Sequence, residues 1–587
     1  MKKILFLLAL VFAHIVAAAA PINEEQARRI ATQFFSRAAT RATTPSVELV
    51  WDGEAANTRT ATAPALYVFN RTDRAGFVIV AGDEAATPII GYSHENHFAD
   101  DNLPANLRWW LDGVRTMILE ARAKGVTATA SSDVAAASTV CLHTTATWDQ
   151  GSPYNGQCPY LSNGSQTITG CVATAASILC KFHEWPTSMS GTTAAYTTST
   201  HRITVPSRTL GSYDYSLMPL AYSNYTSTQA DEVARLMADI GALVQADYGI
   251  GSQGDGGTGA FTENLLKAFH EKMGYSKQAI LRQRLAYSDS DWKAMLKAEL
   301  DAARLIIYGG TGNAGGHQFI CDGYDSEDYF HFNWGWSGLG NGFYNLQVMA
   351  PSGTSYSFVE EQDAIIGLEP DRTGSSTYND WLGLIGVTNG GINYYGISSN
   401  ATRYETGVSI TYYIGGIQNF GTQPFTGTIK IAHCDKNGAV KKDLKQFNAN
   451  DLQPRYYYCL QQALTLTETI EEGDRLRILY KGAYSTDWQW AQKINEQAVS
   501  ELVLVLTPEE VAAQLHLLYE KTSNLFTFSA PYALQYTVTR VADNATIAEG
   551  AVAARTDASV DPSTFEPGDY RFSFASGGRP YELIVQF

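Results

Sequence analysis

The sequence predicts an α+β protein. A small α+β unit comes first, then a two-lobed domain with a helix-rich and a sheet-rich lobe, then two all-β, sandwich-like domains. Three observations predict this. Between residues 140 and 370 helix-period patterns lie mainly before strand-period ones. Beyond Pro370 the pattern changes to short alternating runs, such as 407–414 and 427–432, spaced by Gly, Asn and Asp turns. Residues 127–139, rich in Ala, Ser and Thr and without periodicity, separate the first unit from the rest. A chain of 587 residues also exceeds what one core can hold.

Lys2 and Lys3, an apolar run over 4–16 and small residues at 17–20 give 1–19 the layout of a secretory signal peptide, cut after Ala19. The expected location is secreted, extracellular or surface-attached. Residues 20–126 read as helix 24–39, strands 65–70 and 76–81, and helix 107–123. A folded unit between a leader and the cleavable linker 127–139 suggests a propeptide. Over 140–370 the patterns predict helices at 171–184, 228–244, 261–273 and 289–303, and strands at 305–308, 318–322 and 329–334. A β-sandwich-like domain is expected over 376–506, closing with the run 498–506. A helix at 509–519 leads to a C-terminal all-β domain over 520–587.

With 42 basic against 59 acidic residues the net charge is −17, so no basic face for nucleic acid is expected. No later stretch reaches ~18 uninterrupted apolar residues, so no transmembrane segment is expected. The seven cysteines are few and odd in number, none lies in C-x-x-C, and His94-x-x-His97 lacks the glutamate of a zincin helix. Neither a disulfide framework, a metal nor a cofactor is predicted, and at least one thiol should be free.

Cys171 follows Gly170 at the start of a helix whose apolar positions 172, 175, 179 and 182 define one buried face. There the backbone N–H groups and the positive helix end favour thiolate, which makes Cys171 a candidate nucleophile. Cys180 and Cys321, within apolar runs, suit a structural role better. His317 follows Gly315 and Gly316, which let a substrate backbone approach, and is expected to open a strand. It lies 146 residues after Cys171, within the ~130–150 span of enzymes in which a helix-lobe cysteine meets a sheet-lobe histidine. A hairpin centred near Asp325 would set Asn333 opposite His317, where it could accept the imidazole N–H, with Trp334 shielding that bond. The Gln150 side chain and the Cys171 N–H would form a two-donor oxyanion hole. His183 and His331 read as supporting residues.

The motifs W-D-Q-G-S-P-Y-N (148–155), T-G-C-V-A-T-A (169–175), G-G-H-Q-F-I-C-D-G-Y (315–324) and H-F-N-W-G-W-S-G (331–338) resemble the streptopain family of secreted cysteine peptidases. The resemblance covers 140–370, and 21–125 is similar to the family's inhibitory propeptide. It implies a papain-like fold, Cys171 as nucleophile, His317 as base, Asn333 with Trp334 as orienting residues, Gln150 in the oxyanion hole, and Gly315 and Gly316 beside the substrate. Implied partners are protein or peptide substrates and the chain's own propeptide. The tail after 370 is more similar to long Bacteroidetes forms, and its β domains could contact a cell surface or secretion machinery. Two other readings stand beside this one. A Cys–His acyltransferase of transglutaminase type would pair its histidine with Asp, and a degenerate surface adhesin would bind through the β domains. The G-x-G-x-x-G matches at 249–254 and 254–259 follow a helical spacing rather than a strand, so they read as a cleft loop.

Overall fold

The structure is a computed structural model. It describes residues 20–37, 45–52, 63–99, 103, 105–124, 138–251, 257–312, 315–346, 362–401, 404–495, 497–520, 525–530, 534–553, 556–575 and 580–586. The signal segment 1–19 and nearly all of the linker lie outside the described residues. In chain order the elements begin with α1 (Glu24–Arg37), β1 (Val47–Trp51), β2 (Leu66–Arg71), β3 (Phe77–Ala81), β4 (Ile89–Ser93) and α2 (Ala105–Lys124). Next come β5 (Thr139–Leu142), α3 (Cys171–His183), β6 (Tyr196–Thr197), β7 (Thr204–Val205), α4 (Ser227–Leu243), α5 (Thr262–Glu271), β8 (Ile280–Gln283) and α6 (Asp289–Asp301). They continue with β9 (Ile306–Gly312), β10 (Gly315–Asp325), β11 (Tyr329–Asn333), β12 (Gly342–Asn345) and β13 (Gln362–Ile366).

The chain divides into two compact units, one of residues 1–261 and 293–351, the other of 262–292 and 352–587. In the first, one antiparallel sheet runs β1-β2-β3-β4-β12-β11-β10-β9, with β5 also on β10. The N-terminal segment and the motif-bearing strands therefore share a sheet, joined where Tyr92 pairs with Phe343 and Gly91 with Tyr344. β2 and β3 are buried throughout; β3 is apolar along its whole length, whereas β2 ends in the buried polar residues Asn70 and Arg71. Beneath the seam α2 sends Trp110 into an aromatic layer with Phe332, Trp334 and Tyr344. α3 is covered all round its first three turns, residues 171–180 being all buried, the polar Thr174 and Ser177 included. α4 starts at a capping box in which Thr226 and Gln229 satisfy each other's backbone N–H.

In the second unit β8 pairs with β13. Two five-stranded sheets then pack around Leu382, Ile397, Ile414, Ile429 and Ile478, with Ser409–Asn419 and Phe425–Cys434 among their strands. A three- and a four-stranded sheet follow, around Phe528, Val538, Phe572 and Phe574. The helix expected at 509–519 is shorter. A capping box at Thr507 and Glu510 starts it, it spans Pro508–Gln514, and His516–Glu520 pairs as a strand with Leu525–Ser529. Pairing with a neighbouring strand there overrides helical spacing. All seven cysteines are free thiols. Among the described residues no helix is long and apolar enough to cross a membrane.

Candidate active site

Cys171 is the first residue of α3, and Gly170 before it has φ 85°. A Cβ on Gly170 would stand 2.7 Å from the Thr258 carbonyl oxygen, so both the conformation and the close approach require glycine. The Thr258 hydroxyl donates to Ile168 O at 2.7 Å and so holds the segment leading into the helix. The thiol is buried, and burial pushes its pKa up. The backbone N–H groups of Gln318, Val172 and Cys171 itself pull the other way. The sulfur therefore meets β10 at the residue immediately after His317.

His317 is the third residue of β10 rather than its first, because Gly315 and Gly316 already pair with Gly312 and Thr311. His317 itself faces Gly310. Burial lowers its pKa to about 4. Trp109 of α2 is packed against it, ring centroids 5.9 Å apart. In this form of the protein, burial favours the protonated thiol and the neutral imidazole.

Gln150 is buried, and its carbonyl accepts the Thr169 N–H at 3.0 Å, which ties its loop to the lead-in of α3. The expected pairing of Asn333 with His317 is corrected by the register, in which Asn333 lies across from Ile320. The Asp325 carboxylate accepts the N–H groups of Glu327 and Tyr329, which moves the hairpin tip beyond Asp325. The Asn333 amide donates to Thr145 Oγ1 and to Ala146 O, each at 2.9 Å, and its oxygen accepts the Gly335 N–H at 3.1 Å. Trp334 is buried against Phe319 with centroids 4.4 Å apart, and its indole donates to Gly340 O at 3.0 Å.

Thr145, Asp322 and Trp109 carry no role in the sequence analysis, whereas His331 is read there as a supporting residue. Thr145 donates to Asp322 at 2.6 Å, and Asp322 is bonded to His331 at 2.5 Å, so a buried polar chain supports Asn333 from below. Trp109 had a signal: adjacent residues on a helix point about 100° apart, so the pair Trp109-Trp110 implies two covered surfaces. A second Cys–His contact, Cys141 to His143 at 3.4 Å, is a different arrangement. That imidazole nitrogen lies 2.8 Å from Leu300 O and must donate to it, and burial and nearby carboxylates push the thiol up. Its nitrogen is not available as a base. Among the described residues no group of three or more His, Cys, Asp or Glu stands together as a metal site.

Residues 148–344 match the model of the Peptidase C10 family, and residues 19–118 that of the Spi protease inhibitor. Over 456 residues, 74% of the chain, it is 30% identical to the thiol protease/hemagglutinin PrtT of Porphyromonas gingivalis, of which it covers 50%. The chain thus spans about half the length of that relative. It is 28% identical to streptopain of Streptococcus pyogenes over 332 residues, 52% of this chain and 81% of that one. A solved fragment of Prevotella intermedia prointerpain A is similar at 27% identity and a TM-score of 0.45, covering 57% of this chain and 99% of that one.

Proposed function

Because the chain belongs to the peptidase C10 family and carries a Spi-type inhibitor region ahead of the peptidase region, we propose that it is a secreted cysteine endopeptidase made as a self-processing precursor. The observation that carries this reading is the place of Cys171, at the N-terminus of a buried helix with its thiol against the residue following His317. In the active form His317 takes the Cys171 proton, and the thiolate attacks a peptide carbonyl. The resulting oxyanion rests on the Gln150 amide and the Cys171 N–H. His317 then protonates the leaving amine, and water activated by the same ring hydrolyses the thioester. Asn333 and Trp334 act as positioning residues that fix the end of β11 beside the site, and Gly315 and Gly316 flank the substrate backbone.

The precursor is silent for a physical reason. The ion pair requires charge on both partners, whereas burial opposes charge on either, and Trp109 of α2 covers the imidazole. Cleavage in 127–139 would release 20–126 and return water to the cleft. Substrates are proteins or peptides, and the inhibitor is the chain's own propeptide. The β domains at 376–506 and 520–587 are assigned to contact with a cell surface or secretion machinery.

The test is Cys171→Ala in the full chain. Hydrolysis of a peptide substrate should fall by about 10³-fold or more, the scale of losing a catalytic nucleophile. The purified variant should remain uncut over 127–139. Cutting at the normal rate without added protease would remove self-processing, and retained hydrolysis would remove the peptidase reading.

A further inference from the structure

Gln150 lies in a loop with no strand or helix to fix it, yet a side-chain donor to an oxyanion must be held to within about 0.5 Å. The hydrogen bonds around it supply that constraint. One Asp149 oxygen accepts the N–H of Gln150 at 2.6 Å and of Gly151 at 3.2 Å, closing a turn on the peptide from which the Gln150 side chain departs. The other accepts the Ser337 hydroxyl at 2.8 Å, and the Ser337 N–H returns to Trp148 O at 3.1 Å. Ser337 has φ 53°, a conformation that a residue with a Cβ seldom adopts and that persists where its surroundings fix it. On the far side the Gln150 carbonyl is held by Thr169, two residues before Cys171. The loop is thus clamped between the lead-in of α3 and the turn that follows Trp334.

We propose that Asp149 and Ser337 form a positioning pair that aims the Gln150 amide at the developing oxyanion. The inference rests on the oxyanion role given to Gln150 above. Asp149 is not a base in this arrangement, since both of its oxygens are occupied by donors. Its contribution is the direction of its neighbour, and it reaches the substrate only through that neighbour.

The experiment compares wild type, Asp149→Ala, Asp149→Asn and Ser337→Ala as full chains. Each is processed by a trace of tagged wild type that is then removed, so that all share one N-terminus. Two rates are measured on each: peptide hydrolysis, and alkylation of Cys171 by iodoacetamide, a displacement that builds no oxyanion. Asp149→Ala should lose about 10–100-fold in kcat, the scale of a ~1 Å misplacement, with KM within about twofold. Ser337→Ala, which removes only an exposed hydroxyl, should lose less, in the same direction. Asp149→Asn keeps the acceptor for the turn and lets the Ser337 hydroxyl turn round to accept, so it should recover most of the activity. Alkylation should stay within about twofold throughout, which also reports a folded site.

Unchanged kcat in Asp149→Ala would overturn the proposal. So would an alkylation rate that falls in step with kcat, or an Asn variant as poor as Ala. Absence of peptide hydrolysis in the wild type is a different failure, that of the peptidase reading itself.

Discussion

The two halves of the first unit's sheet share one hydrogen-bonded ladder but are built from different materials. Around β10 and β11 the peptidase half holds its loops with buried polar groups: Asp322 bonded to Thr145 and His331, and Asn333 to Thr145, Ala146 and Gly335. The N-terminal half meets it with rings and backbone. Trp109 lies on His317, Trp110 in the aromatic layer, and β4 on β12 through two residue pairs. Polar bonds that cross the seam among the described residues include Tyr329 to Ile89 O at 2.8 Å, Asn96 to Asn341 O at 3.0 Å and Tyr92 to Asp325 at 2.5 Å. The difference separates function from its restraint. Under the proposed reading, directional polar networks would hold the site's shape and non-directional packing would cover it until the linker is cut.

The largest test of this contrast is Gly91 of β4, which pairs with Tyr344 across the seam and with Ile79 of β3 in its own half. A Cβ on Gly91 would stand 2.7 Å from the Tyr344 ring and 3.0 Å from the Phe343 carbonyl oxygen. Gly91→Val should prise β4 from β12 and leave the peptidase half as it is. The isolated segment 20–126 carrying this change should inhibit the processed enzyme at least ~100-fold more weakly, about 2.7 kcal/mol, within the range of a serious packing clash. Undiminished inhibition would show that the seam contributes little to latency.

A second, smaller effect is expected from pH. His317 has its pKa lowered to about 4 by burial, as does His270, and His94 is lowered too. For histidines with depressed folded values the unfolded chain binds more protons between pH 4 and 6.5. Stability is therefore present above about 6.5 and is lost as pH falls towards 4. In a Cys171→Ala precursor, which should stay intact, the urea midpoint should drop across that window, and the His317 ring should titrate near 4 by NMR. Trp109→Ala should return that titration towards the ordinary value of ~6.5. A flat midpoint, or a His317 titration indifferent to Trp109, would break the link between covering and charge.

How much of this was legible in the sequence follows the same divide. The helix that starts at Cys171 announces itself through Gly170 and apolar spacing, because a helix N-terminus is written in consecutive residues. The His317 strand was legible for a similar reason, though its start was set two residues late, since pairing of Gly315 and Gly316 depends on β9. The Asn333 register failed because it depends on how Asp325 caps its own turn, a side-chain choice that periodicity does not record. The polar chain His331–Asp322–Thr145–Asn333 was beyond reach. Asn333 and His331 stand out in the sequence, but Thr145 and Asp322 look ordinary where they stand, and nothing local shows that the four meet. Trp109 was visible as half of a tryptophan pair, but its target could only be known once α2 was docked.

The smallest effect concerns a buried polar bond from β4 to the peptidase half that ends on a carboxylate. Tyr92 donates to Asp325 at 2.5 Å, and both side chains are buried. Burial raises the Asp325 pKa, and the bonds from Tyr92 and from the Tyr329 and Glu327 backbones oppose the rise. Tyr92→Phe keeps the ring and orphans one carboxylate oxygen, which should weaken inhibition by the segment by about 1–3 kcal/mol. The sign of its pH dependence is fixed. The loss falls on ionised Asp325, so the gap between variant and wild type should be full above the raised pKa and should narrow as the carboxyl is protonated. Inhibition by the two segments, compared from pH 7 downwards, checks this. A gap that stays constant with pH would mean that Tyr92 contributes packing alone, and would make the seam more purely apolar than this buried carboxylate suggests.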